Sequence, residues 1–236
     1  MEIFALAGSG DQIARTSVSL VLALGLARRG LKPLHIQVLD DEDAAPVLSR
    51  PEHAPFTSLA LAPGDAGPTG SGILQRALAH GDLGPVVVDL PGRDVPTRLL
   101  GHRHCNLLLP MATHRPELKR SAQDFAWLAA RRSPFGSRNV FVVPVGWPSV
   151  LRQADYQRLL KREAARAAAA MLPAARHIVP RGISDVILGL GPLLIDGAVN
   201  SERQLAHEAA VIAQAVLRST GSSWIESDPT RDTSGS

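Results

Sequence analysis

With 236 residues, 45% of them hydrophobic and 20% charged, the chain is long enough to bury a substantial core and suits one large α/β domain better than two small ones. The single cysteine, Cys105, excludes an internal disulfide framework, fits a reducing cytosol and reads as a small buried apolar residue. The net charge is only +3, no apolar run reaches the roughly 18 residues needed to span a bilayer, and no basic leader precedes the first apolar residues, so a soluble cytoplasmic protein is expected.

In chain order, residues 3–7 read as a short apolar strand, Gly8-Ser9-Gly10 as a tight turn, and Thr16 to Arg29 as an apolar helix that stops at Gly30. A second strand is expected at 34–39. An acidic, proline-containing loop follows at 40–54, a strand at 57–62 and a mobile, turn-rich stretch at 63–72. Ile73 to His80 suggests a helix, and Pro85 to Gly92 contains a buried strand that ends in Asp89 and a tight turn. Further strands are expected at 105–109, 139–145 and 176–179, with helices at 116–132, 150–172 and 202–218. Strands alternating with helices of this length predict right-handed crossovers and a mostly parallel sheet with helices on both faces. The domain is expected to span 1–218, followed by a polar, disordered tail at 219–236 in which only Trp224 has the character to dock.

The charge is unevenly spread. Residues 1–92 carry 6 basic against 10 acidic side chains, 93–181 carry 16 against 5, and 182–236 carry 3 against 7. The basic centre reads either as Arg-rich helix faces in solvent or as a surface for nucleic acid or an acidic partner. Its candidate contact residues are Arg115, Lys119 and Arg120 on one helix and Arg158, Lys161, Arg162 and Arg166 on the next, the latter four at i, i+3, i+4 spacing that makes one stripe. Such a stripe can track a phosphate backbone without sequence preference. With aromatics at 4%, stacking on single strands is not favoured.

The segment from Phe4 to Asp43 has the strand, glycine-bearing turn, helix and strand of a phosphate-binding loop unit, yet it lacks the pattern G-x-x-x-x-G-K-[ST]. The order of features resembles the ParA/MinD family of P-loop ATPases, whose first strand leads into a KGGVGKTT-type loop. TSVSLVLALGLARRGLKPLHIQ is similar to that family's first helix and second strand. GPVVVDLPGR resembles its second nucleotide motif, with Asp89 at the acid. VFVVPVGWPS and HIVPRGISDVILGLGPLLID are similar to its sixth strand and closing segment, so the likeness covers roughly residues 1–218. The resemblance implies a P-loop fold of the SIMIBI class, bound ATP and Mg²⁺, dimerisation with a like or unlike partner, and a place in bacterial partition, positioning or polymer-secretion systems such as cellulose synthesis.

Carried over residue by residue, the resemblance puts Gly10 at the signature Lys, Asp11 and Gln12 at two loop glycines, and Ala14 at the third. Arg15 takes the place of the phosphate-reaching Lys, Thr16 that of the Mg²⁺-binding hydroxyl, and Gln37 that of the acid ending the second strand. Gly8, Gly10, Arg15, Thr16, Ser17 and Asp89 are therefore the candidate nucleotide residues, with Thr16 and Asp89 as Mg²⁺ ligands if nucleotide binds. Side chains at 11, 12 and 14 crowd a nest that glycine leaves open, and a planar guanidinium does not reproduce a compact ammonium among phosphates. Phosphoryl transfer depends on positioning and charge stabilisation, so the expected protein is a scaffold or regulatory subunit with little or no ATPase activity.

Two other readings use the same residues. A slow Mg²⁺-ATPase would need only Arg15, Thr16 and Asp89. Gly8 to Ala14 also fits G-x-G-x-x-x-A, a variant dinucleotide fingerprint, although Asp40 lies 32 residues after Gly8 and no Tyr-x-x-x-Lys follows. His102, His104 and His114 lack acid or cysteine partners at ligand spacing, and no metal is assigned to them.

Overall fold

The computed structural model describes residues 1–9, 12–41, 44–48, 51–80, 84–112, 115–131, 140–145, 155, 158–163, 166 and 202–222. Six strands form one sheet: β1 (Ile3–Leu6), β2 (Leu34–Val38), β3 (Thr57–Leu61), β4 (Val86–Asp89), β5 (Cys105–Ala112) and β6 (Val140–Val145), in the order β3-β2-β4-β1-β5-β6. Every pairing among them is parallel. The helices are α1 (Gln12–Arg28), the single turn α2 (Pro63–Ala66), α3 (Ser71–His80), the single turn α4 (Thr97–Leu100), α5 (Arg115–Arg131) and α6 (Glu202–Thr220). Residues 155, 158–163 and 166 are also helical.

Alternation along β1 sends Ile3, Ala5 and Ala7 to one apolar cluster, with Ile73, Leu99 and Phe125 from α3, α4 and α5. Phe4 and Leu6 go to the other, with Leu22 and Leu26 of α1 and Ile212 and Val216 of α6. Both faces of the sheet are thus covered by helices, and β1, β2, β4 and β6 are buried runs of the kind a parallel sheet requires, while the edge strand β3 buries Leu61 and leaves Thr57, Leu59 and Ala60 exposed. α1 and α6 cross closely, for a Cβ on Gly25 would stand 1.9 Å from the Ala209 carbonyl oxygen.

Several elements differ from expectation. The stretch 63–72 contains α2, started by Pro63 in the first turn, and the start of α3. α1 begins at Gln12, four residues before Thr16. β5 continues through Pro110 to Ala112. Leu108 turns its carbonyl to Ala7, so Pro110 faces the same side, beyond the last residue of β1, where no strand needs its missing N–H. Past α6, Ser222 donates its hydroxyl to the Glu2 carboxylate at 2.5 Å, tying the start of the expected tail to the base of β1. The expected strand at 176–179, the closing segment 177–196, most of the helix at 150–172, His114 and Trp224 lie outside the described residues.

No helix among the described residues is long and apolar enough to cross a membrane.

Candidate functional site

β1 and β4 are neighbours with Leu6 opposite Asp89, so the turn leaving β1 and the acid ending β4 meet at the carboxyl edge of the sheet. Gly8 has φ +144°, and a Cβ there would stand 2.8 Å from Leu109 Cδ1, so this position is built for glycine. Its amide donates to the Gly92 carbonyl at 2.9 Å, joining the two turns.

α1 then presents Arg15 and Thr16 to that junction. Arg15 Nε donates to Asp89 Oδ1 at 3.1 Å, and its NH1 group donates to the Gly8 carbonyl at 2.9 Å. Thr16 Oγ1 donates to the second carboxylate oxygen, Asp89 Oδ2, at 2.6 Å. Arg15, Thr16 and Asp89 are 4%, 5% and 2% exposed, so this is an interior cluster in which cation, hydroxyl and acid satisfy one another. Burial pushes the Asp89 carboxyl above its ordinary value, against the pull of the Thr16 hydroxyl and the Arg15 guanidinium. Ser17, the next residue of α1, is half-buried; Gly10 lies outside the described residues.

Two further buried polar groups were not among the candidates read from the chain. Asp124 of α5 accepts from the Ser9 amide at 2.7 Å and from the Ser9 hydroxyl at 2.8 and 2.9 Å. It is 1% exposed, and burial raises its carboxyl above the usual range, opposed by the Ser9 hydrogen bonds and by Arg93 and Arg120. On the other side of the sheet, His35 of β2 lies between Ser58, 2.9 Å from Nδ1, and Ser19, 3.1 Å from Nε2. The Ser19 hydroxyl also reaches the Thr16 carbonyl at 2.8 Å. Burial lowers His35 from 6.5 to about 4, so the ring is neutral at pH 7. Gln37, aligned with a family acid, instead accepts from the Val47 amide at 2.9 Å. Two cavities of about 570 and 300 Å³ share Ala54, Pro55 and Phe56 in their walls, and neither is lined by Arg15, Thr16 or Asp89.

The basic residues are dispersed and largely paired. Arg120 meets Glu117 at 2.7 Å, Arg158 meets Asp155 at 2.9 Å, and Arg162 and Arg166 meet Glu163 at 3.4 and 2.7 Å. Lys119 and Lys161 are exposed, and the Arg115 side chain lies outside the described residues. Cys105 is buried with its thiol pushed up to about 12, in keeping with a packing role.

A six-stranded parallel sheet with helices on both faces and a glycine turn leading from β1 into α1 is the fold of the P-loop nucleotide hydrolases. In particular, the chain is similar in structure to the ParA protein of pNOB8. It matches that protein solved on nonspecific DNA with TM-score 0.53 and 11% identity over 93% of this chain and 98% of that one. Without DNA, the same protein gives TM-score 0.52 and 12% identity over the same shares. The cell division protein MinD of Aquifex aeolicus gives TM-score 0.49 and 14% identity over 94% and 96%. No family model and no curated protein sequence matches the chain.

Proposed function

We propose that this protein is a ParA-like positioning or partition component whose nucleotide loop has lost its chemistry, and that it works as a non-catalytic scaffold or regulatory subunit. Residues 1–218 would form its one domain. The observation that carries the reading is the closed contact of Arg15, Thr16 and Asp89. In a working loop the cation reaches phosphate oxygens while the hydroxyl and acid serve Mg²⁺. Here the cation is bonded inward to the acid, and the hydroxyl donates to the same carboxylate. The donor set does not fit a magnesium nucleotide in this arrangement, because a guanidinium 3.1 Å from Asp89 occupies the acid that the metal would need. Gln12 to Ala14 are helical as well, where a phosphate cradle needs glycines in non-helical conformations.

Partner binding then becomes the function. A second copy, an unlike ParA-like subunit and DNA are the partners that the resemblance suggests, within a plasmid or chromosome partition system or a cellulose-type secretion system. Paired cations on the second basic helix weigh against an extended phosphate track, since Arg158, Arg162 and Arg166 each have a carboxylate in reach. The strand order weighs against a dinucleotide enzyme: β4 separates β2 from β1, whereas the dinucleotide fold has β2 beside β1. Phosphate release from Mg²⁺-ATP tests the proposal. The wild type and the Arg15→Lys variant are both expected at buffer background; turnover by wild type that is abolished by Asp89→Asn would replace the scaffold with a slow ATPase switch.

A further inference from the structure

Trp127, in the last half of α5, packs its indole partly against the core of the α3–α5 layer. Its ring carries two guanidinium groups: Arg131 Cζ lies 3.6 Å from the ring centroid and Arg93 Cζ lies 4.6 Å from it. Arg131 comes one helical turn further along α5, and Arg93 comes from the turn that follows β4. Stacking of this kind engages the faces of the guanidinium groups and leaves their N–H edges for other acceptors. Among the described residues, neither arginine forms an ion pair. Asp124, a carboxylate that feels Arg93, is buried and bonded to Ser9. Arg131 is exposed and Arg93 half-buried.

Holding two long side chains in fixed positions at a surface costs rotamer freedom, and it lowers the cost of any later contact that needs both cations in place. The cluster is compact, two cations on one aromatic residue, and among the described residues the second basic helix does not extend it into a track of unpaired charge. Trp and Arg together are the residue types that dominate protein–protein hot spots, with the aromatic supplying area and the cations supplying register. We propose that Arg93, Trp127 and Arg131 form a docking site for an acidic segment of a protein partner, two carboxylates meeting the two guanidinium edges that the indole holds in place. This site needs nothing from the nucleotide loop and stands or falls apart from the scaffold proposal.

The test uses the full chain and fluorescence anisotropy of a labelled ten-residue peptide alternating Glu with Leu and Phe. A peptide with every Glu replaced by Gln and a labelled DNA duplex serve as comparisons. The acidic peptide is expected to bind and the Gln peptide to bind at least tenfold more weakly. Arg93→Gln with Arg131→Gln should weaken the acidic peptide by tenfold or more, Arg131→Lys by less, and Arg28→Gln, at an exposed arginine of α1, should leave it unchanged. Thermal melts that match wild type exclude misfolding of the Gln variants, and Trp127→Phe gives a second route to the same loss. No binding of the acidic peptide, equal binding of the Gln peptide, equal binding by the Arg93/Arg131 variant, or DNA binding that is lost in that variant while the peptide is ignored would each overturn the proposal.

Discussion

Ser9 donates both its amide and its hydroxyl to the Asp124 carboxylate, an acid 115 residues away on α5. The first turn past β1 is where a phosphate-binding loop aims backbone N–H groups at an anion. In this chain the Ser9 N–H points at a carboxyl group of the chain itself. Asp124→Ala removes the acceptor and should destabilise the protein by about 1–3 kcal/mol in urea unfolding. Asp124→Asn keeps an acceptor and removes a charge that burial opposes, so its loss should be the smaller of the two.

Arg15 and Asp89 form a buried pair, and removing one member strands the other. Arg15→Met should cost on the order of 3–5 kcal/mol. Arg15→Met combined with Asp89→Asn should recover a large part of that loss, because no charge is then left inside. A double-mutant cycle by urea denaturation measures the coupling, and additive losses would contradict the pairing.

Gly25 is a helix-interior glycine that ought to be improved by alanine if the helix alone mattered. The Ala209 carbonyl oxygen, 1.9 Å from the place of the new Cβ, reverses the sign. Gly25→Ala should lower stability by about 1–3 kcal/mol through the forced separation of α1 and α6. A variant more stable than wild type would mean that the two helices do not cross at this point.

His35 gives the pH dependence. The folded protein holds the ring neutral down to about 4, whereas the unfolded chain takes up the proton near 6.5. The unfolded state therefore binds more protons between those values, and stability present above pH 6.5 is lost as pH falls toward 4. At roughly 1.4 kcal/mol per pH unit of difference, the loss across the window is on the order of 3 kcal/mol. Asp89 and Asp124, both raised by burial, act in the opposite sense, since the folded state holds their protons longer as pH rises. Comparing wild type with His35→Gln at pH 4.5 and 7 isolates the histidine. The wild type should lose more stability than the variant on acidification.

Much of this arrangement was legible in the chain. The apolar run of β1, the dense apolar helix α1 and the Val86–Asp89 strand ending in an acid led to the parallel sheet, and the family resemblance singled out Arg15, Thr16 and Asp89, as nucleotide residues and not as a cluster bonded to itself. Single-turn helices such as α2 and α4 have no period to detect. Asp124 had a faint signal: it shares the buried face of α5 with Ser121, Ala122, Phe125 and Leu128, an acid where the pattern calls for an apolar residue. Its partner could not be read, because nothing local in the sequence links it to Ser9. His35 and Gln37 likewise interrupt β2 at alternate positions, which marks one polar-bearing face without saying what it meets. The direction taken by Arg15 was the least legible feature, since a cation at that position serves equally to reach a phosphate or to neutralise Asp89.

That direction is what the account depends on, and calorimetric titration of the full chain with ATP and with ADP, each with Mg²⁺ at low salt, tests it most directly. The account predicts no binding heat for either nucleotide, in wild type and in Arg15→Lys alike. Saturable binding to wild type that disappears in Thr16→Ala would show that Arg15 releases Asp89 for a metal and a nucleotide, and would contradict it.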